Sequence, residues 1–290
     1  MPSQPPNNGS VLEIRPLSET FVAEVQGLDL SQEVGDERFA AIHGAFLRYQ
    51  VLLFCNQNLT AARHVELARH FGEVQLHVLD QYHHGGYPEL YFLSNLDQSG
   101  RPSGRHPDRG TIYWHTDGSW TKTAMQATLL FSIEVPSEGG QTHFADMYRA
   151  YESLNGTMRS RIADLRAVHN LDFSRTRRHD GDPMTDEQKR KVPPVDHPVV
   201  RTHPETGRKC LFLGDHAEHI VGMNYDAGRA LIEELNRLAT RAELVYRHQW
   251  RPGELVIWDN RCTLHRATSF DTAAERRVIR RATVLGDMPR

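Results

Sequence analysis

At 290 residues, the chain has room for one large domain or two small ones, and 39% hydrophobic with 24% charged residues excludes bulk disorder. The 34 basic and 37 acidic residues leave a net charge of −3, so no global field favours nucleic acid or a membrane surface. No apolar run is long enough to span a bilayer. The polar opening MPSQPPNNGS reads as a frayed arm (residues 1–10), leaving 11–290 as one domain. LEIRPLSETFVAEVQGLDL (12–30) holds short strand-like runs, and DERFAAIHGAFLR (36–48) places Phe39, Ile42, Phe46 and Leu47 on one helical stripe. VLLFC (51–55) reads as a buried strand and TAARHVELARHFG (60–72) as a helix capped by Thr60. Strands are expected at 89–94, 125–135 and 142–145, followed by a helical stretch over roughly 147–168.

The charged segment 174–194 is a solvated loop by composition and a candidate lid by length. HPVVRTH (197–203) and RKCLFLG (208–214) form a hairpin around PETG, and a helix at 226–239 has Asp226 as its cap and Ala227, Ala230, Leu231, Leu235 and Leu238 on its buried face. Two strands, ELVIWD (254–259) and RRVIRRATVLG (276–286), close the chain, joined by the segment that holds His265. Many short strands with few helices predict a mainly β protein, a sandwich or barrel with flanking helices. Neither GxGxxG nor GxxxxGK is present to support a nucleotide fold. Cys55, Cys210 and Cys262 are widely spaced without CxxC, which predicts free thiols in a reducing cytoplasm.

Chemistry concentrates in three places. In YWHTDGSW (113–120), His115 and Asp117 stand two apart, so on a strand both side chains would point the same way and converge. With 17 histidines in the chain, an HxD pair also arises by chance, and a third ligand must come from elsewhere. His265, in WDNRCTLHRA, reads by itself as a core histidine bonded to a carbonyl. The tail changes the balance. RRVIRRAT (276–283) carries arginines on both faces of an apolar strand, and these are costly to bury without anions. A strand laced with surface salt bridges is one explanation; guanidinium groups presented to carboxylates in a cavity are the other. Two histidines and one carboxylate on a β scaffold suit the facial triad of non-haem Fe(II) oxygenases, whereas the HExxH of helical zinc hydrolases is missing.

HTD (115–117), EVPSEGGQT (134–142), WDNRCTLH (258–265) and RRVIRRAT (276–283) together resemble the TauD/TfdA family of Fe(II)- and 2-oxoglutarate-dependent dioxygenases. The likeness runs from VQGLDL (25–30) through HFGEV (70–74) to RRATVLGD (280–287), in the family's order. It implies a double-stranded β-helix (a cupin-like jelly roll) with Fe(II) held by His115, Asp117 and His265. By the same resemblance, Thr142 and Arg277 hold the distal carboxylate of 2-oxoglutarate, with strand parity favouring Arg277 over Arg276. The implied reaction uses O2, releases succinate and CO2, and hydroxylates a C–H bond. A carboxylate at Asp117 favours hydroxylation, because halogenating relatives carry a small residue there.

For the substrate, the resemblance assigns Arg281 to a sulfonate or carboxylate, His77 as its helper and Trp120 to the pocket wall. His216, in GDHAEHI, is a further pocket candidate within a second half that resembles the 2,4-dichlorophenoxyacetate branch more than taurine dioxygenase. The expected substrate is therefore a small anionic molecule, aryloxyalkanoate-like or alternatively taurine, an alkylsulfonate or an alkylsulfate. Nucleic acid and membrane are not expected partners; a homo-oligomer, dimer or tetramer, is. A non-oxygenase jelly-roll metal enzyme is the rival class.

Overall fold

The computed structural model describes residues 11–19, 21–76, 83–84, 86–177 and 184–290. Its strands are β1 (Glu13–Pro16), β2 (Val22–Gln26), β3 (Val51–Phe54), β4 (His83–His84), β5 (Tyr87–Ser94), β6 (Met125–Glu134), β7 (Thr142–Asp146) and β8 (Arg166–His169). The second half adds β9 (Val195–Pro198), β10 (Val200–Thr202), β11 (Lys209–Leu211), β12 (Ala217–Ile220), β13 (Val245–His248), β14 (Leu255–Asp259), β15 (Thr263–Ala267) and β16 (Val278–Leu285). The helices are α1 (Asp36–Tyr49), α2 (Ala61–Phe71), α3 (Met147–Glu152), α4 (Gly156–Ile162), α5 (Leu171–Arg177), α6 (Asp186–Lys191) and α7 (Tyr225–Ala239).

The major sheet runs β1-β2-β3-β14-β6-β16-β5-β4, and a smaller one runs β13-β7-β15. Every residue of β14 is buried, as its continuous apolar run LVIW requires of a strand covered on both faces. Alternation divides the major sheet cleanly. Leu129, Phe131, Ile257, Ala282 and Val284 pack beneath α1 and α2, while Leu130, Val256, Trp258 and Ile279 face Phe144 and Trp250 of the smaller-sheet side. Two facing sheets with helices on the outside agree with the sandwich that the strand pattern predicted and with the jelly roll that the family resemblance implied. A third core gathers α3 and α7 against β8 and β10–β12.

Several boundaries differ from the sequence expectations. The helical stretch at 147–168 is two helices and a strand: Asn155 caps α4 by accepting from Met158 N at 2.8 Å, and Arg166–His169 joins a sheet with β9 and β12. Asn224, not Asp226, caps α7, accepting from Ala227 N at 3.2 Å. The buried face of α7 is Gly228, Leu231, Ile232, Leu235 and Ala239, because the backbone of Ile220 closes on Gly228, where a Cβ would lie 3.0 Å from Ile220 N. The described parts of 174–194 include the end of α5 and all of α6, the latter closed by a capping box from Thr185 and Gln188. The hairpin at 197–214 survives as β10–β11, but Val199 switches the chain between sheets, donating to Leu165 O while its own carbonyl accepts from Phe212 N.

Candidate active site

HTD does not sit on a strand. His115 forms an isolated antiparallel bridge with His265, each donating its N–H to the other's carbonyl at 3.0 and 2.8 Å, and the chain then turns through 117–120. That bridge sets the imidazoles side by side, with ring centroids 4.2 Å apart. The turn swings Asp117 back between them. Its Oδ1 lies 3.8 Å from His115 Nε2 and 3.7 Å from His265 Nε2, and three candidate ligand atoms fall within 4.8 Å of one another. His115 Nδ1 lies 2.7 Å from the carbonyl of Tyr113, which makes Nδ1 the protonated nitrogen and leaves the Nε2 lone pair for a metal. His265 is gripped by the rings of Trp258 and Phe144 instead. Burial, reinforced by His115, holds the His265 imidazole well below its usual range, so it is neutral.

The second carboxylate oxygen has its own partners. Asp117 Oδ2 accepts from Thr128 Oγ1 at 2.6 Å and pairs with an Arg281 terminal nitrogen at 2.7 Å. Arg281 also donates from Nε to Thr283 Oγ1 at 2.9 Å, and Thr283 faces Thr128 across the β16–β6 ladder. Burial would raise the Asp117 carboxyl, but the Arg281 guanidinium, with the Thr128 hydrogen bond, outweighs it and holds the group well below the usual carboxylate range. The result is a carboxylate with one oxygen aimed between two imidazoles and the other locked behind. Thr128→Val, which removes one lock without adding bulk, is expected to weaken divalent-metal binding about ten-fold, measured by calorimetry with Mn(II).

This cluster opens onto a cavity of about 340 Å³ whose walls include Trp120, His216, Arg281, Tyr91, Leu171 and Arg175. The structure thus gathers Trp120, His216 and Arg281 around His115 and Asp117; His77 lies outside the described residues. His216 is buried, edge-on to His115 at 6.4 Å, with Nδ1 2.9 Å from Ser174 Oγ on α5. Gly214, at φ +111°, lets this segment pass close behind the metal ligand: a Cβ there would stand 3.2 Å from His115 Cα. Tyr91 and Arg175 carry no motif of their own, and only the folded chain brings them to the wall.

Thr142 and Arg277 are not among the residues that line this cavity. Arg277 is 3% exposed, its Nε makes no hydrogen bond among the described residues, and burial pulls its guanidinium down to about 10 without an acid to restore it. It is still a cation at neutral pH, buried with no anionic partner among the described residues. Its neighbour Arg276 points outward to Glu134, with one bond at 2.9 Å, which settles the direction of the RR pair. The GG turn explains how the chain reaches Arg277: Gly140 has φ +60°, and a Cβ there would meet Pro136 Cγ at 2.6 Å and lie 3.7 Å from Arg277 Cδ. His106 was not anticipated. Its Nδ1 accepts from Asp108 N at 3.3 Å, so Nε2 carries the proton, yet Nε2 is buried without a partner among the described residues. Burial, then the charge of Arg277, lowers its imidazole from the usual range. Thr142 accepts from Trp250 Nε1 at 3.0 Å.

A second cluster, His203, Asp259 and Cys262, has metal-like spacing but a different character. Arg261 donates to both oxygens of Asp259 at 2.8 and 2.7 Å, and His203 Nε2 stands 3.0 Å from Oδ2. The guanidinium already supplies the positive charge. These bonds pin the turn that delivers β15, and with it His265.

The family description "Taurine catabolism dioxygenase TauD, TfdA family" matches residues 13–283. The chain belongs to the TauD/TfdA family. It is 38% identical over 280 residues to the alpha-ketoglutarate-dependent 2,4-dichlorophenoxyacetate dioxygenase of Cupriavidus pinatubonensis, covering 94% of this chain and 97% of that one. The alpha-ketoglutarate-dependent sulfate ester dioxygenase of Pseudomonas putida is 31% identical, covering 96% of this chain and 91% of its own. Among solved structures, AAD-2 in complex with Mn(II) and N-oxalylglycine superposes with a TM-score of 0.87 at 35% identity, over 97% of this chain and 98% of that one. This TauD/TfdA protein is a 2-oxoglutarate-dependent dioxygenase that uses Fe(II). The donor set of His115, Asp117 and His265 fits such an ion, and Arg277, buried with no acid partner among the described residues, fits the dicarboxylate cosubstrate.

Proposed function

We propose that His115, Asp117 and His265 hold Fe(II), that Arg277 and Thr142 hold the distal carboxylate of 2-oxoglutarate, and that Arg281 receives the acid group of the substrate. The observation that carries this reading is the facial cluster of three donors beside a cavity walled by a guanidinium. When bound, Fe(II) with 2-oxoglutarate and O2 supplies the oxidant that hydroxylates a C–H bond, as the cosubstrate loses CO2 and becomes succinate. The protein's part is placement. Thr128 and Arg281 restrict Asp117 to one free oxygen, and Tyr113 O fixes the His115 tautomer. Arg277 and Arg281, four residues apart and so roughly 13 Å along a strand, serve two different anions.

The substrate is a small carboxylate, sulfonate or sulfate ester with an apolar body. Trp120, Met125 and Leu171 would pack that body while Arg281 and His216 face its polar end. The relatives named for 2,4-dichlorophenoxyacetate and for sulfate esters support that range, aryloxyalkanoates first. Residues 11–290 form one catalytic domain in this reading, and the enzyme works in the cytoplasm; the three unpaired thiols suit a reducing compartment. No helix among the described residues is long and apolar enough to cross a membrane.

A screen of succinate release over aryloxyalkanoates, alkyl sulfates, taurine and other sulfonates tests the substrate class. Arg281→Ala is expected to lower kcat/KM for the best anionic substrate by about 30-fold or more, and to reduce substrate-free decarboxylation of 2-oxoglutarate much less. Because Arg281 also braces Asp117, metal affinity is measured on the same variant. A neutral ester that outperforms its parent acid would remove Arg281 from substrate recognition.

A further inference from the structure

Thr142 is the only hydroxyl among the residues assigned here to the cosubstrate, and a hydroxyl can point its single proton in several directions. Its surroundings restrict that choice. Trp250 Nε1 donates to Thr142 Oγ1 at 3.0 Å, and an indole N–H can do nothing but donate. One lone pair of the oxygen is therefore filled by a proton from behind. The Thr142 hydroxyl proton makes no hydrogen bond to any other described residue, so it is directed away from Trp250.

The indole itself cannot swing. Trp250 is 3% exposed and stands edge-on to His248, with centroids 4.6 Å apart and planes at 85°. His248 is buried, with Nε2 3.2 Å from Glu254 Oε2 in an approach that does not form a hydrogen bond. Glu254 is held in turn by Arg251 N, which donates to its Oε2 at 2.7 Å, and its backbone N–H donates to Ser132 Oγ at 2.9 Å. On the other side, Thr142 is fixed in β7, paired to His248 of β13 and Ala267 of β15. The donor thus follows β13 by two residues and the acceptor opens the neighbouring β7, two residues beyond the GG turn that carries the chain past Arg277.

We propose that Trp250 is a positioning residue for the cosubstrate: by occupying the acceptor side of Thr142, it makes that hydroxyl a dedicated donor to the distal carboxylate of 2-oxoglutarate. The inference rests on the assignment of Thr142 to that carboxylate. Two effects combine. The hydroxyl loses the rotational freedom it would otherwise surrender on binding, and accepting one hydrogen bond strengthens its capacity to give another.

The test compares Trp250→Phe, and the isosteric replacement of Trp250 by benzothienylalanine, with Thr142→Val and the double variant. Affinity for 2-oxoglutarate is read anaerobically on the Fe(II) enzyme by its charge-transfer absorption, and for N-oxalylglycine on the Mn(II) enzyme by calorimetry. Both Trp250 variants are expected to weaken cosubstrate binding about 3- to 10-fold while Mn(II) affinity stays unchanged. In the Thr142→Val background the same replacement should have no further effect, since its route is gone. If Thr142→Val weakens binding but benzothienylalanine does not, Trp250 is only a satisfied core donor and the inference fails while the assignment of Thr142 stands. If neither changes the affinity, the assignment of Thr142 falls and the inference falls with it. An effect of Trp250→Phe that persists undiminished without the Thr142 hydroxyl would show a packing role and also overturn the proposal.

Discussion

His265→Ala is expected to reduce turnover below detection and to abolish cosubstrate-dependent colour on Fe(II), while the fold persists. His265 is 5% exposed and neutral, and among the described residues it has no ion pair that would be orphaned apart from its approach to Asp117 Oδ1. Its removal therefore costs a cavity in the range of about 2–5 kcal/mol rather than an unpaired buried charge. Asp117 requires more care. Replacing it by Ala would strand Arg281 in the interior, a loss of about 3–5 kcal/mol by itself, so a dead Asp117→Ala protein could simply be unfolded. Asp117→Asn keeps the volume and an oxygen for Thr128 while removing the charge. It should bind Mn(II) far more weakly and be inactive, with a cooperative melting transition retained. Normal turnover in either His265→Ala or Asp117→Asn, checked by succinate release, would dismiss the triad.

The second large effect concerns Arg277. A guanidinium that is 3% exposed and has no acid partner among the described residues is poised to gain a charge-assisted contact, and removing such a contact costs roughly 2–5 kcal/mol. Arg277→Ala should raise the KM for 2-oxoglutarate by about 30-fold or more, with a smaller change in affinity for the primary substrate. The variant should also be no less stable than the parent, because it removes an uncompensated buried charge instead of breaking a pair. Arg276→Ala is the contrast. Its pair with Glu134 is half-exposed, and deleting it should leave the KM for 2-oxoglutarate unaltered. The reverse outcome would shift the register by one.

Much of the site was legible because its parts lie in continuous motifs. The apolar runs LVIW and VLLF announce strands whatever surrounds them, and the order of HTD, the GG turn, His265 and the double arginine identifies the family. The local geometry was less accessible. HTD reads as strand by its i, i+2 spacing, yet the convergence of His115 and Asp117 comes from a bridge and a turn. Nothing in five residues distinguishes the two, since the bridging partner His265 is 150 positions away. β15 was hidden because its residues TLHRA follow a turn whose polarity, Asp259 and Arg261, is buried in an ion pair rather than solvated. The cap of α7 was misplaced by two residues because Asn224 and Asp226 both have capping side chains, and only the fold decides which one precedes the first turn.

Arg281 shows the same limit most clearly. The family resemblance assigns it to the substrate, and the structure has it on the cavity wall, but its bond to the far oxygen of Asp117 had no counterpart in the pattern. The signal was present in retrospect: a threonine two residues after Arg281 and another directly across the ladder, both on the face of the carboxylate. His106 and Trp250 belong to no motif either. One is defined by a buried unsatisfied nitrogen and the other by its bond to Thr142, properties that exist only once distant segments meet.

The most direct test of the central claim is an anaerobic titration of the Fe(II)-loaded wild-type protein with 2-oxoglutarate. A weak visible metal-to-ligand charge-transfer band should grow and saturate, remain when Arg276 is replaced by Ala, and be absent in His265→Ala. A wild-type protein that binds both Fe(II) and 2-oxoglutarate, yet develops no such band, would contradict the placement of cosubstrate on a metal held by His115, Asp117 and His265.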